Sequence, residues 1–206
     1  MEIDLVRKSQ PTLLDRLLAE MRRNGYITIE DAKALGISRK LLSNWAKTGK
    51  IQRVASGVYQ VASDIPDEMV LLSMAARKLA FSHESALYLN GLSERCPAGY
   101  SVTIPSNATI PRFRGARVKA YYITDEFFGV GLERRTTPTG GDVPCYNAER
   151  TVCDILRSRS RIDEETLIAA LRIFARSRAK DLNRLAEYSR IFRIEKTVHE
   201  RLEVLL

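Results

Sequence analysis

The side chains best placed to bind another molecule lie in one short stretch, SRKLLSNWAKTGKI, residues 38–51. On a helix with about 100° per residue, its polar side chains share one arc of about 140°. They are Arg39, Lys40, Ser43, Asn44 and Lys47. Arginine and lysine donate to the O6 and N7 atoms of guanine, and asparagine pairs with N6 and N7 of adenine. This set of side chains is suited to the major groove of DNA.

The neighbouring residues predict the elements that would position this helix. A helix with Pro11 in its first turn is predicted over residues 11–25, and TIEDAKALG (28–36) predicts a second helix that begins with a capping box and ends at a glycine. Ser38 is then a natural cap for the helix that follows. Residues 51–61 form two β-rich runs around a glycine-containing turn, which predicts a hairpin. Three helices followed by a hairpin is the layout of a winged helix-turn-helix domain.

The distribution of charge also favours a polyanionic partner. The 206 residues carry a formal net charge of +8, and the window from Ala32 to Ser63 contains six lysines and arginines but no acidic residue. Such a surface is suited to double-stranded DNA, with cations at the rim of the helix and on the hairpin nearer the phosphates. The residues predicted to contact DNA are Arg39, Lys40, Ser43, Asn44, Lys47, Lys50, Arg53 and Tyr59.

The polar arc alone also fits a helix face that is merely solvated, because lysine and arginine are good helix formers. The capping box, the tight turn, the hairpin and the acid-free window together favour DNA binding over that alternative. Trp45 lies on the apolar side of the same helix, where we expect it in the hydrophobic core rather than stacked on a base.

The rest of the chain has a different pattern. Two helical segments are predicted within residues 66–92, β-like runs extend from residue 100 to residue 145, and four helical segments follow to the end. We therefore predict an α+β protein with two domains. The first is a winged helix-turn-helix over residues 1–64, and the second is an α+β domain over residues 65–206 that ends in a helical cluster.

No motif in the sequence predicts catalysis or a metal site. The chain has three cysteines and two histidines without zinc-ligand spacing, and it lacks the P-loop, G-x-S-x-G and H-E-x-x-H motifs. Glu149 and Asp154 are predicted on the surface of a helix. His83 beside Glu84 fits an acid–base pair, although a histidine near a helix start more often caps or packs. We expect a non-enzyme without cofactors.

We expect no contact with a membrane either. No apolar run approaches the roughly 20 residues that span a bilayer. The N-terminal stretch MEIDLVRKSQ has no apolar segment of the signal-peptide kind. The expected location is the cytoplasm.

Three stretches resemble the AbiEi-type antitoxins, the regulator half of bacterial abortive-infection (type IV) toxin–antitoxin systems. They are GYITIEDAKALGISRKLLSNWAKTGKIQRVASGVYQV (25–61), SHESALYLNGLSE (82–94) and CYNAERTVCDILR (145–157). Many winged helices share the first stretch, whereas the second and third are more specific. The resemblance implies a transcriptional regulator with a role in phage defence.

The resemblance implies one function for each domain. The N-terminal domain would bind inverted repeats in its own promoter and repress the operon; no heptad run marks a dimer helix, so we expect a monomer on paired half-sites. The C-terminal domain would counter a nucleotidyltransferase-type toxin without a stable complex. The basic residues predicted for this antitoxin surface are Arg112, Arg114, Arg117 and Lys119. The alternative is a winged-helix regulator whose C-terminal domain senses a small ligand.

Overall fold

The chain combines helices with two small sheets, so the predicted α+β class is confirmed. The computed structural model describes residues 10–76, 78–109, 117–203 and 205. The chain divides into two units, one that ends at Asp67 and one that begins at Glu68. No helix in the described part of the chain is long and apolar enough to cross a membrane, and its His, Cys, Asp and Glu residues form no cluster that could hold a metal ion.

The first unit is a winged helix-turn-helix, as predicted. Its elements are α1 (Leu13–Asn24), β1 (Ile27–Thr28), α2 (Ile29–Ala34), α3 (Arg39–Lys47), β2 (Ile51–Ala55) and β3 (Val58–Val61). The strands form an antiparallel sheet in the order β1-β3-β2. The predicted hairpin is β2 and β3. The strand β1 was not predicted, because two residues are too few to show the alternation of a strand.

Side-chain caps determine where the first two helices begin. Thr12 and Asp15 form a capping box at α1, so Pro11 lies before the helix rather than in its first turn. The predicted capping box of Thr28 and Asp31 is present at the start of α2. Each box satisfies backbone N–H groups that have no partner within the helix.

The core of the first unit draws large apolar side chains from every helix and strand. Its buried members include Leu17, Met21, Ile27, Ala32, Ile37, Leu42, Ile51 and Tyr59. Full burial of one leucine or methionine contributes roughly 1.5–3 kcal/mol. Ala32 of α2 and Leu42 of α3 both belong to this cluster, so the two helices share one core.

The second unit is built on a mixed sheet with the strand order β6-β5-β4-β8-β7 among its described residues. Its elements are α4 (Glu68–Met74), β4 (Ala80–Phe81), α5 (His83–Leu89), β5 (Tyr100–Pro105), β6 (Val118–Ile123), α6 (Asp125–Phe128), β7 (Leu132–Thr136), β8 (Asp142–Tyr146), α7 (Ala148–Arg157), a 3-10 turn (Arg159–Arg161), α8 (Glu164–Arg176), α9 (Leu182–Ile191) and α10 (Glu195–Leu202). Helices α7 to α10 are the predicted helical cluster.

A buried ion pair lies on α7. Arg150 is fully buried, and its Nε donates to Oδ1 of Asp154 at 3.0 Å. Its Nη1 donates to the carbonyl oxygens of Val130 at 2.7 Å and Phe127 at 3.2 Å. The prediction that Asp154 lies on a helix surface is therefore wrong. The same holds for Glu149, which is buried and accepts a hydrogen bond from the backbone.

Both predictions failed because α7 has no free face. It contacts α5, α8, α9 and α10, so side chains that would be solvated on an outer helix are enclosed here. The guanidinium carbon of Arg150 lies 4.1 Å from the ring centroids of both Tyr146 and Phe192, which gives it two cation–π contacts. Gly131 approaches the same side chain so closely that a Cβ there would lie 2.6 Å from Cβ of Arg150.

We predict that Arg150→Met destabilises the protein by about 3–5 kcal/mol, because it leaves the buried carboxylate of Asp154 without its main partner. Urea unfolding followed by circular dichroism would measure the loss. Arg157→Met is the matched control, since Arg157 lies 3.7 Å from the same carboxylate with 39% of its side chain exposed. It should cost less than about 1 kcal/mol. Equal losses of unfolding free energy in the two variants would show that the buried Arg150 stabilises the protein no more than the exposed Arg157 does.

Candidate nucleic-acid interface

The helix α3 is held in place by a cap and by its apolar side. Oγ of Ser38 accepts a hydrogen bond from the N–H of Leu41 at 3.3 Å, as predicted for the cap. Leu42 is fully buried, and Leu41 and Trp45 pack partly buried against the same core. Trp45 therefore lies on the core side of the helix, as expected.

The opposite side of α3 carries what we term the basic face. It consists of Arg39, Lys40, Ser43, Asn44 and Lys47, all of which are exposed. Among the described residues of the first unit, one ion pair is present, between Arg23 and Glu20 on α1. None of the cations of the basic face forms an ion pair with a described carboxylate. Their positive charge is thus not neutralised by a described carboxylate and is open to an anionic partner.

A tight turn at the end of α3 positions Lys50. Oγ1 of Thr48 donates to the carbonyl of Asn44 at 3.0 Å, and the N–H of Lys50 donates to the carbonyl of Trp45 at 2.9 Å. Gly49 makes this turn possible with a φ of +72°, a conformation that favours glycine. Lys50 is therefore exposed directly beyond the end of the helix.

The hairpin of β2 and β3 forms the wing. Its turn contains Gly57 with a φ of +76°, and the carbonyl of Gly57 accepts a hydrogen bond from the N–H of Ile29 at 3.0 Å. The wing is therefore attached to the start of α2. Arg53 is exposed beside a bulge in the hairpin, and its Nε donates to the carbonyl of Ala55 at 3.3 Å. This bond keeps the guanidinium group near the turn.

One predicted DNA contact does not fit the structure. Tyr59 lies on β3, the middle strand of the sheet, opposite Arg53 of β2. Only 6% of Tyr59 is exposed. Its side chain belongs to the hydrophobic core, so the prediction that it contacts DNA is corrected.

The four basic residues predicted for an antitoxin surface do not form a common exposed patch among the described residues. Arg112 and Arg114 lie outside the described residues. Arg117 is exposed, whereas Nζ of Lys119 lies 2.9 Å from Oε1 of Glu84. The charge of Lys119 is thus balanced by a carboxylate. Arg117 and Lys119 line one cavity rather than a flat patch.

His83 is a buried packing residue and does not form an acid–base pair with Glu84. Its ring nitrogens lie 3.0 Å from Oγ of Ser82 and 3.0 Å from Oγ of Ser158. The ring stacks on Tyr121 with 3.3 Å between centroids. Burial lowers the pKa of His83 well below its ordinary value, and nearby lysine and arginine side chains add to this effect.

We predict that His83 makes the protein less stable in mild acid. The folded state keeps the imidazole neutral while the unfolded chain binds a proton, so stability should fall as the pH drops below about 6.5. His83→Gln should reduce that dependence by up to about 1.4 kcal/mol per pH unit, measured by urea unfolding between about pH 7 and pH 5. An unchanged slope in His83→Gln would contradict the prediction.

The fold of the whole chain is similar to a solved structure. The crystal structure of the RV2827C protein from Mycobacterium tuberculosis superposes with a TM-score of 0.60 and 16% sequence identity, over 95% of this chain and 81% of that chain. At this identity the similarity shows the fold alone. Comparison with curated proteins gives no match.

A family comparison concerns the winged helix itself. Residues 15–62 match the family model described as "Transcriptional regulator, AbiEi antitoxin". This segment includes the basic face and the wing. The family is regulatory, which is consistent with the prediction of a non-enzyme and supports an antitoxin and DNA-binding role. The match confirms the resemblance to AbiEi-type antitoxins over the first of the three stretches, residues 25–61.

Proposed function

We propose that this protein is the antitoxin of a bacterial type IV abortive-infection system and represses its own operon. The observation that carries the DNA-binding half is the basic face of α3, which is exposed and unpaired with any described carboxylate. The family match over residues 15–62 supports the antitoxin half. The stretches 82–94 and 145–157, which resemble the same family, support a matching role for the second unit.

In this proposal α3 enters the major groove of double-stranded DNA. Arg39, Ser43 and Asn44 contact base edges, where arginine recognises guanine and asparagine recognises adenine. Lys47 and Lys50 meet phosphates, which fix the register of the helix on the duplex. Each monomer occupies one half of an inverted repeat in the promoter.

The wing adds a second contact to the same half-site. Arg53 would meet the sugar–phosphate backbone or the minor groove beside the site of α3. Because Gly57 ties the wing to the start of α2 and a cap fixes the start of α3, both contacts are arranged before DNA binds. A preorganised surface loses little conformational entropy on binding.

We predict that Arg39→Ala and Asn44→Ala each weaken binding to the protein's own promoter by about 1–3 kcal/mol and reduce sequence preference. Fluorescence anisotropy with the promoter fragment and with a scrambled fragment would measure both effects. Arg23→Ala is the matched control, because Arg23 is exposed on α1 and already paired with Glu20. It should bind both fragments as the wild type does.

Lys50→Ala separates phosphate contact from base recognition in the same assay. It should weaken binding to both fragments alike and lower the slope of log K against log[salt] by about 0.9. A double variant Arg39→Ala/Asn44→Ala that shifts the promoter fragment as well as the wild type would refute the proposed role of the basic face.

The second unit would counter a nucleotidyltransferase-type toxin without a stable complex. We predict that a fragment starting at residue 65 protects cells from the toxin while losing operator binding, because it keeps all of the unit that begins at Glu68 and lacks α3. Co-expression with the gene adjacent to its own, scored by growth, is the measurement. The full chain with Arg39→Ala/Asn44→Ala should also protect. A fragment that protects no better than an empty vector would contradict this division of functions.

A further inference from the structure

The second unit contains a cavity whose lining includes Arg117 and Lys119, two of the residues predicted for the antitoxin surface. Its volume is about 400 Å³, within the range of roughly 300–1,000 Å³ that small-molecule sites occupy. Its walls come from α5, from the loop between α5 and β5, from the starts of β5 and β6, and from α8. The residues that matter for recognition are Glu84, Arg95, Pro97, Ala98, Arg117 and Lys119.

The charge of these walls is unbalanced. Lys119 and Glu84 neutralise one another, with 2.9 Å between Nζ and Oε1. Nζ of Lys119 also donates to the carbonyl of Arg161 at 2.8 Å, so its position is fixed. Arg95 and Arg117 form no direct ion pair with any carboxylate that the structure describes, although Arg95 is close enough to Asp163 to help lower the pKa of that carboxyl. The described lining therefore has an excess of two positive charges, which matches a phosphate group of charge about −1.5 to −2 at neutral pH.

The rest of the lining combines the polar side chains of Ser93, Ser101 and Thr166 with a short apolar wall. That wall consists of Pro97 and Ala98, because Leu87 is fully buried. A Cβ on Gly99 would lie 2.6 Å from the carbonyl oxygen of Arg117, so at Gly99 the loop backbone rests directly on the residue that precedes β6. A small molecule could thus place an apolar body against this wall and an anionic group among the arginines.

We propose that this cavity binds a small molecule that carries a phosphate group on an apolar body, as a mononucleotide does. Arg95 and Arg117 hold the phosphate, as guanidinium groups hold phosphates in other sites. Pro97 and Ala98 contact the apolar body. The proposal does not rest on the proposed function, since a ligand site here is compatible with either of the two functions predicted from the sequence.

A cysteine in the cavity wall allows a direct test on the full chain. Cys96 is exposed and lines the cavity, whereas Cys145 and Cys153 are buried. Burial raises the pKa of each of these two thiols to about 12, so a thiol reagent at neutral pH should modify Cys96 first. Adenosine monophosphate at about ten times its dissociation constant should slow that reaction about tenfold, in proportion to the fraction of free sites.

Variants test the two arginines by calorimetric titration with adenosine monophosphate. Arg95→Gln and Arg117→Gln should each lower the affinity at least about tenfold, as expected for a lost hydrogen bond to a charged group. The two residues lie on different segments, so a folding defect in one variant leaves the other as the test. Arg172→Gln is the control, because Arg172 is exposed on α8 and does not line the cavity.

Three further results would overturn the proposal. Equal protection of Cys96 by adenosine would show that the phosphate is not recognised, and equal protection by inorganic phosphate would show that the apolar wall is not used. Protection by double-stranded DNA but not by adenosine monophosphate would assign the cavity to a nucleic-acid surface. The variant Arg39→Ala/Asn44→Ala should bind adenosine monophosphate as the wild type does, which keeps this test independent of operator binding.

Discussion

Removing an ion from water costs several kcal/mol even after the protein relaxes, and the second unit is arranged around one such ion. Arg150 is fully buried, and its guanidinium is compensated by a carboxylate, two backbone carbonyls and two aromatic rings. These partners come from α6 and the segment after it, from β8, from α7 and from the end of α9. The contacts of the Arg150 guanidinium therefore connect the sheet to the helical cluster. The close packing around Arg150 also requires glycine at residue 131.

In the first unit, by contrast, the cations of the basic face are exposed. Asp15 and Asp31 are engaged in capping boxes, whereas the cations of the basic face project outward without a described carboxylate partner. A duplex can thus approach without first displacing an intramolecular ion pair. Since α3 is fixed by its cap and its buried leucine, affinity for DNA would come from a rigid surface whose charges are exposed before binding.

Features that depend on neighbouring residues were predictable from the sequence. The caps at Thr28 and Ser38, the hairpin turn at Gly57 and the helices of the last third follow from short-range hydrogen bonding and hydrophobic periodicity, and the structure confirms them. The strands β1 and β4 have two residues each, too few to show a period. Tyr59 was misplaced because β-rich sequence does not show which strand will be central in the sheet.

The sequence by itself determined which side of α3 is polar, because helical spacing alone puts its cations on one arc. Only the tertiary structure decided which polar groups are buried. Arg150 and Asp154 have the i, i+4 spacing of an ordinary solvated pair, and it is the packing of four helices around α7 that removes them from water. The cavity is likewise a tertiary property, because Glu84 and Lys119 are 35 residues apart in the chain and meet only when α5 packs beside the sheet.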